Sequence, residues 1–234
     1  MKHYIIIRFN YPEDHADLQQ RIDLFNQYTK KSLLHQSNKN FKVLIIGNPG
    51  IDLSGLDHAF VEFKTQSAVK DMDLIQLKNF IRSDIGSEKI IITTRLDNDD
   101  ILLKNFVRNI QTISKHISHD HVLETKGYFY DIRKNKLFIS NRYHKKSVSP
   151  FASLIERAEN FHTVYRIKHS ELWRFYDVIE SSCFGWLQLI HDTNQKMNKL
   201  SEKQLGIETD LKLLPDFLKG LEEDFMDFYA GDYM

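Results

Sequence analysis

The chain has 234 residues, enough for one large domain or two small ones with a sizeable core. Lysine plus arginine and aspartate plus glutamate both number 32, so the formal net charge is zero. That balance argues against a protein that coats nucleic acid without sequence preference, because binding to phosphate backbones needs an excess of cations. Apolar residues at 41%, with aromatic residues at 12%, are typical of a folded globular protein.

Three features bear on the compartment. The lone cysteine, Cys183, excludes an internal disulfide and fits a reducing environment. No apolar run approaches the roughly 20 residues that a transmembrane helix needs. The opening residues 1–7 are too short for a signal peptide and run directly into polar sequence. We therefore expect a cytoplasmic protein with no transmembrane segment.

The first 120 residues alternate between strand and helix patterns. Apolar β-branched runs predict strands at 4–9, 41–46 and 58–63 and from residue 90. Apolar residues at helical spacing predict helices at 14–34, 71–82 and 103–117. The order strand, helix, strand, strand, helix, strand, helix predicts an α/β fold with a mostly parallel central sheet flanked by helices.

The remaining residues have a different character. Segments 127–132 and 136–141 predict a hairpin, and 142–146 is basic. Ser149 followed by Pro150 predicts a helix start, residues 163–167 a strand, and Ser170 the cap of another helix. Residues 215–229 form an amphipathic acidic pattern that predicts a C-terminal helix. With no repeat or long linker, one domain is expected.

Residues 90–100 (IIITTRLDNDD) are the most informative stretch. A β-branched run suits a strand buried on both faces, and it ends at Asp97, Asn98, Asp99 and Asp100. In open α/β sheets, ligands bind beyond the carboxyl ends of the strands. Three like charges there repel one another, and they are most easily tolerated when a cation or a donor-rich ligand lies between them.

Four interpretations of this cluster compete. A calcium loop counted from Asp97 needs glycine and glutamate where Leu102 and Arg108 stand, so it fails. A phosphatase of the haloacid dehalogenase type carries its Asp-x-Asp motif on the first strand, whereas several strands precede the motif here, and no convincing carboxylate pair follows on a later strand unless Asp120 or Asp192 serves. A capped helix start explains one or two acidic residues through the helix dipole, though not three.

The fourth interpretation is a nucleotide-sugar site. Asp97 would accept hydrogen bonds from ribose hydroxyls, and Asp99 would bind a divalent cation that offsets the charge of a leaving diphosphate. Arg95 and Arg8 would meet phosphate oxygens through forked hydrogen bonds. An alternative for both arginines is a surface or core-edge ion pair.

The segment TTRLDNDDIL resembles the Thr-Arg-Leu-Asp-x-Asp-Asp motif of glycosyltransferases with the A-type fold and, more narrowly, a bacterial family of rhamnosyltransferases. Further segments share the resemblance, which spans most of the chain to about residue 195: Arg8-Phe9-Asn10, Arg21 to Gln36, Ser149-Pro150-Phe151, and Gly185 to His191 with Asn194. It implies transfer of a sugar from a nucleoside-diphosphate donor to a glycan or lipid-linked saccharide.

The resemblance also implies residue roles. Asp97 would face the ribose, Asp99 would bind Mg²⁺ or Mn²⁺, and Asp100 would support or share the metal. His191 would be a further contact to metal or diphosphate, or else a partly buried structural histidine. Trp186 would belong to the core or to the wall of an acceptor pocket. Residues 1–120 would form the nucleotide-sugar half, 121–200 the acceptor half and 201–234 a helical tail.

The general base is the weakest point of the resemblance. No Glu-Asp pair stands where an inverting enzyme would carry its base, which leaves these candidates: Asp192, Asp177, Glu180 and Glu171. A second hypothesis therefore stays open, a nucleotide- or glycan-binding protein that keeps the fold without catalysis. The acidic tail helix is unsuited to anionic lipid, and it would pack on the core or form a homodimer contact.

Overall fold

The computed structural model describes residues 1–9, 18–47, 54–55, 58–62, 70–141, 148–192, 194 and 197–218. Within these ranges the strands are β1 Lys2–Phe9, β2 Lys42–Gly47, β3 His58–Glu62, β4 Ile90–Leu96, β5 Ile101–Leu102, β6 His121–Asp131, β7 Lys136–Ser140, β8 Ser153–Arg157, β9 Asp177–Ile190 and β10 Gly206–Thr209. The α-helices are α1 Leu18–Leu24, α2 Lys30–Leu34, α3 Lys70–Asp84, α4 Phe106–Ser114 and α5 Glu202–Leu205.

The strands form one sheet in the order β10-β7-β6-β8-β4-β1-β2-β3, and β9 pairs with both β6 and β5. Strands β3, β2, β1 and β4 are parallel neighbours, whereas β8 lies antiparallel to β4 and β6. The expected mostly parallel sheet is therefore confirmed for the first half of the chain, and the second half makes the sheet mixed.

Both faces of the parallel half are buried, which explains its continuous apolar strands. Ile5 and Ile92 point to the face covered by α4, where Ile110 packs against the same cluster. Ile6 points to the opposite face and shares a cluster with Ile81 of α3. Successive residues of β1 thus serve two separate cores, as the alternation of side chains along a strand requires.

The first predicted helix is confirmed from residue 18 onward. Helices α1 and α2 are joined without a break by a π-helical turn, Phe25–Thr29, so the chain is helical from Leu18 to Leu34. The helices predicted at 71–82 and 103–117 are α3 and the shorter α4. The predicted hairpin is β6–β7, with Asn135 in the left-handed region of its turn at φ 50°.

The helix predicted to start at Ser149-Pro150 is wrong. The chain makes a turn there, with the amide of Phe151 donating to Ser149 Oγ at 3.2 Å, and then enters β8. The side chain of Ser149 is therefore engaged in a turn rather than in a helix cap. Pairing of β8 with β4 on one side and β6 on the other outweighs the local helix-start signal.

Two further predictions nearby are wrong. Residues 163–167 form turns instead of a strand, and Thr163 itself has a φ of 75°. The amides that would pair in a ladder are used elsewhere: Glu156 accepts from Thr163 N at 2.9 Å, and Thr93 Oγ1 accepts from Val164 N at 2.9 Å. Ser170 does not cap a helix, because the 3₁₀ helix His169–Arg174 begins one residue earlier.

Several predicted features lie outside the described residues. They are residues 14–17 of the first predicted helix, the basic segment 142–146 and all but the first four residues of the predicted C-terminal helix. Of those four, Asp216–Leu218 form a 3₁₀ turn. In the part of the chain that the structure describes, no helix combines the length and apolar character needed to cross a bilayer.

Candidate active site

The acidic cluster lies where two strands of the sheet end. Strand β4 ends at Leu96 and Asp97 follows directly, while β9 ends at Ile190 and His191 follows. The short strand β5, which comes immediately after the cluster, pairs antiparallel with β9 and ties the two strand ends together. Asp99 and His191, which are 92 positions apart in sequence, are thereby placed at one edge of the sheet, where ligands bind in α/β folds.

Asp99 is enclosed by three side chains from distant parts of the chain. Its Oδ2 is ion-paired with Nη1 of Arg21 from α1, and both side chains are only 8% exposed. Nε2 of His191 lies 2.9 Å from the same oxygen, and Nδ2 of Asn194 donates to it at 3.4 Å. The predicted proximity of Asp99 and His191 is therefore present in the structure.

These contacts decide the charge state of Asp99. Burial by itself would raise the pKa of its carboxyl group, but the hydrogen bond with His191 and the charge of Arg21 outweigh burial and lower that pKa. Asp99 is thus an ionised carboxylate held in a protein interior by a resident guanidinium. In such a setting, the removal of either partner leaves an uncompensated buried charge.

Asp100 holds two elements together. Its Oδ1 accepts a hydrogen bond from the amide of Leu189 at 2.9 Å, and its Oδ2 accepts from Nε2 of Gln188 at 3.3 Å, so both oxygens bind β9. Burial, followed by the charges of Asp99 and Asp97, raises the pKa of Asp100 well above its ordinary value. The side chain is 1% exposed, and its contacts are those of a structural residue.

A row of alternating charged and aromatic side chains runs beside the cluster. The guanidinium of Arg95 donates to Asp97 Oδ1 at 3.1 Å and lies 5.2 Å from the ring centroid of Tyr165. The guanidinium of Arg8 lies 5.6 Å from the same ring. Tyr165 therefore contacts two cations in cation–π geometry, one from β1 and one from β4.

The candidate bases are spread over the molecule. Asp192 follows His191, is largely exposed, and lies 3.6 Å from Nη1 of Arg133. Asp177 begins β9 and pairs with His121, so the length of the strand separates it from the cluster. Glu171 lies in the 3₁₀ helix before β9, and Glu180 faces solvent near the start of that strand. Of the four, Asp192 is adjacent in sequence to a side chain of the cluster.

Trp186 belongs to the core, as the sequence allowed. It is 1% exposed, its indole donates to the carbonyl of Thr125 at 2.9 Å, and it stacks on Phe151 with ring centroids 4.6 Å apart. No part of the ring is available to a substrate. Its role is to pack β9 against the turn that precedes β8.

The predicted dication does not fit this arrangement as it stands. Within the described residues, no three histidine, cysteine, aspartate or glutamate side chains come together as a metal-binding group. Asp99 and His191 supply two ligands, but Oδ2 of Asp99 is already occupied by the guanidinium of Arg21. A dication bound to that oxygen would lie directly beside a fixed positive charge.

The sequence did not single out Arg21, Tyr165 or Asn194 as site residues. One feature of the sequence could have drawn attention to Arg21. It stands three residues before Leu24 and four before Phe25, on a helix face that is otherwise apolar. A charged residue on such a face needs a buried partner. Tyr165 lies in the segment mistaken for a strand, where no periodic pattern could have marked it.

Comparison with known proteins places the chain in a family. Residues 5–203 match the model of a protein family described as "Putative rhamnosyl transferase". None of the curated proteins compared matches the chain.

Among solved structures, the fold is similar to residues 1–349 of S. aureus TarS, with a TM-score of 0.50 and 15% identity over 81% of this chain and 60% of that one. It is also similar to the mannosyltransferase PcManGT from Pyrobaculum calidifontis, solved in complex with GDP-Man and Mn²⁺, with a TM-score of 0.50 and 8% identity over 82% of this chain and 58% of that one. The chain thus spans about three fifths of each, and at these identities the likeness concerns the fold, which is the A-type glycosyltransferase fold.

Proposed function

Because the chain belongs to this rhamnosyl transferase family, we propose that it transfers a sugar from a nucleoside-diphosphate donor to a saccharide acceptor, either a glycan or a lipid-linked saccharide. The observation that carries the proposal is the row of Arg8, Tyr165, Arg95 and Asp97 at the carboxyl ends of β1 and β4. Two guanidinium groups at a strand-end edge suit the forked binding of phosphate oxygens. A carboxylate beside them suits ribose hydroxyls.

The proposed reaction is a direct displacement. An acceptor hydroxyl oxygen forms a bond to the anomeric carbon while the bond from that carbon to the diphosphate oxygen breaks, and the nucleoside diphosphate leaves with the electron pair. The acceptor proton passes to a carboxylate, for which we propose Asp192. Arg8 and Arg95 stabilise the negative charge that develops on the departing phosphate oxygen.

Metal assistance stays a prediction from the acidic motif. Asp99 and His191 are the described side chains that would hold Mg²⁺ or Mn²⁺, and Asp99 would have to exchange Arg21 for the ion. No step of the proposed reaction depends on that exchange.

We also propose a division of labour along the chain, with donor binding centred on residues 1–120 and acceptor binding on 121–200. The division is not strict. Tyr165, His191 and Asn194 belong to the second range, but they contact arginine and aspartate side chains of the first.

The test combines nucleotide binding with turnover. We expect the protein to bind one of UDP, GDP, dTDP or ADP and to consume the matching nucleotide sugar when an acceptor is present. Asp192→Asn should lower kcat by about 100-fold or more while nucleotide binding is retained. Asp177→Asn, at the far end of the same strand, is the matched control and should keep kcat.

Other outcomes are decisive in different ways. If Asp177→Asn abolishes turnover and Asp192→Asn does not, the assignment of the base is wrong. If a nucleotide binds but no donor is consumed with any acceptor, the binding-protein hypothesis replaces the enzyme hypothesis.

A further inference from the structure

The three carboxylates of the acidic cluster each have their own partner inside the protein. Asp97 is ion-paired with Arg95 at 3.1 Å, and Asp99 is ion-paired with Arg21. Asp100 binds the backbone of β9 through the amide of Leu189. For Asp97 and Asp99, the negative charge that makes a bound dication attractive on sequence grounds is therefore already offset by an arginine of the chain.

The position of Arg21 is built into the fold. It comes from α1, on the face that also carries the buried residues Leu24 and Phe25, and its side chain is 8% exposed. Electrostatic attraction is strong at such a depth because water screens it little. The pair is held from the other side by His191, whose ring is fully buried. The packing around Arg21 therefore holds its guanidinium at the carboxylate of Asp99.

The same residues give the edge of the sheet a favourable charge for a diphosphate. Three guanidinium groups lie there, those of Arg8, Arg21 and Arg95, against the carboxylates of Asp97 and Asp99. The third carboxyl, that of Asp100, is directed at β9, where its oxygens accept from the amide of Leu189 at 2.9 Å and from Nε2 of Gln188 at 3.3 Å. Without Arg21, two guanidinium groups would face two carboxylates, and the excess of positive charge at this edge would be lost.

We propose that Arg21 is the resident cation of the donor site: it neutralises Asp99, and a nucleoside diphosphate binds beside the pair without a divalent cation. The inference rests on the proposed function, since it concerns the same donor site. It assigns Arg21 a positioning role, because the guanidinium acts by holding Asp99 and its charge in place. It also predicts that loss of Arg21 creates a metal site at Asp99 and His191 that the wild-type chain does not use.

The experiment measures binding of UDP, GDP, dTDP and ADP to the full chain by calorimetry, first in EDTA and then with Mn²⁺. For the wild-type protein, we expect the nucleotide that binds best to bind equally well in both conditions. Arg21→Ala should weaken that binding at least about tenfold in EDTA, because it leaves Asp99 as an unpaired buried charge. Mn²⁺ should restore binding to Arg21→Ala, and Mn²⁺ alone should raise its melting temperature.

Two controls separate this role from a general effect on the fold. Arg108→Ala removes an exposed arginine of α4 and should change neither binding nor the response to Mn²⁺. The double variant Arg21→Ala with Asp99→Asn removes both charges of the pair, so it should recover binding in EDTA and lose the response to Mn²⁺. Should Arg21→Ala fail to fold, Arg21→Gln, which removes the charge and keeps most of the length of the side chain, takes its place with the same expected results.

The outcomes are distinguishable. Wild-type binding that requires Mn²⁺ and disappears in EDTA overturns the inference and leaves the proposed function intact. Absence of nucleotide binding in both conditions overturns the proposed function and the inference with it. Binding in EDTA that survives Arg21→Ala shows that the donor site does not depend on Arg21, and it also overturns the inference.

Discussion

At the scale of single residues, the structure contains a buried carboxyl outside the acidic cluster. Glu124 of β6 is 3% exposed, and its Oε2 accepts the amide hydrogen of Ser149 at 3.2 Å. Burial, only partly offset by the hydrogen bonds with Ser149, raises the pKa of Glu124 to about 8. This carboxyl therefore holds the turn before β8 in its protonated form near neutral pH.

Glu124 should make folding stability fall as pH rises. In the unfolded chain this carboxyl ionises near its ordinary pKa of 4.5, whereas in the folded protein it keeps its proton up to about pH 8. Unfolding therefore releases a proton between these values, and the free energy of unfolding declines by at most about 1.4 kcal/mol per pH unit. Glu124→Gln should remove the share of this decline that Glu124 contributes and so make the slope less steep, as measured by urea unfolding over a pH series.

The control for that measurement is Glu159→Gln, which changes an exposed glutamate after β8 and should leave the pH dependence as it is in the wild type. A wild-type slope that is unchanged by Glu124→Gln would show that Glu124 already ionises at its ordinary pKa in the folded state.

At the scale of elements, the close approach of β6 and β9 fixes the end of β9 near the acidic cluster. A Cβ on Gly127 would lie 2.0 Å from Cδ2 of Trp186, so glycine is required where the indole crosses β6. The pairing of the two strands also shifts in register around Lys126. This packing sets where β9 ends and therefore where His191 meets Asp99.

Gly127→Ala should destabilise the protein by roughly 1–3 kcal/mol or more, because the added methyl overpacks a rigid core. Thermal unfolding of Gly127→Ala, of Trp186→Leu and of the double variant forms a double-mutant cycle. We expect the double variant to lose less stability than the two single variants lose together, because leucine at position 186 leaves room for the added methyl group.

Gly86→Ala is the contrasting control. Gly86 has a φ of 61° and no heavy atom within 4 Å of an added Cβ, so its substitution costs only backbone strain. Its effect should add simply to that of Trp186→Leu. If Gly86→Ala and Gly127→Ala showed the same coupling energy with Trp186→Leu, a local steric clash at Gly127 would be contradicted.

At the scale of the whole molecule, the site is shared between the two halves of the chain. Arg21 and Asp99 belong to the first half, whereas His191 and Asn194 come from the end of β9. Tyr165 reaches back in the same way between Arg8 and Arg95. A ligand bound at this edge of the sheet should therefore contact residues from both halves of the chain.

We expect a bound nucleoside diphosphate to slow amide hydrogen exchange in two separate parts of the chain, because the side chains of the site come from both. Protection should appear at residues 95–100 and at residues 161–167 together with 187–191. The measurement is hydrogen exchange by mass spectrometry with and without the nucleotide that binds best. Protection confined to residues 1–120 would mean that the donor site does not include the end of β9 or the segment around Tyr165.

The sequence alone predicts the parallel half of the sheet and the edge at which the acidic cluster lies. These are local properties, since uninterrupted β-branched runs such as 4–7 and 90–94 favour buried strands whatever surrounds them, and the polar residues after them mark the strand ends. It also identified the family, because the family's motifs can be recognised from the order of the residues without knowledge of the fold. The turn at Ser149 and the segment at Thr163 escaped it, because pairing with distant strands and a buried carboxylate overrode the local signals there.

The partner of each carboxylate depends on how the chain folds. The ion pair between Arg21 and Asp99 joins residues 78 positions apart, and the contact between His191 and Asp99 spans 92. The cluster of aspartates in the sequence indicates that their negative charge needs a positive partner. Which group becomes that partner depends on which helix face and which strand end lie together in the folded protein. For that reason the sequence pointed to a metal ion, whereas the folded chain places an arginine at the same oxygen.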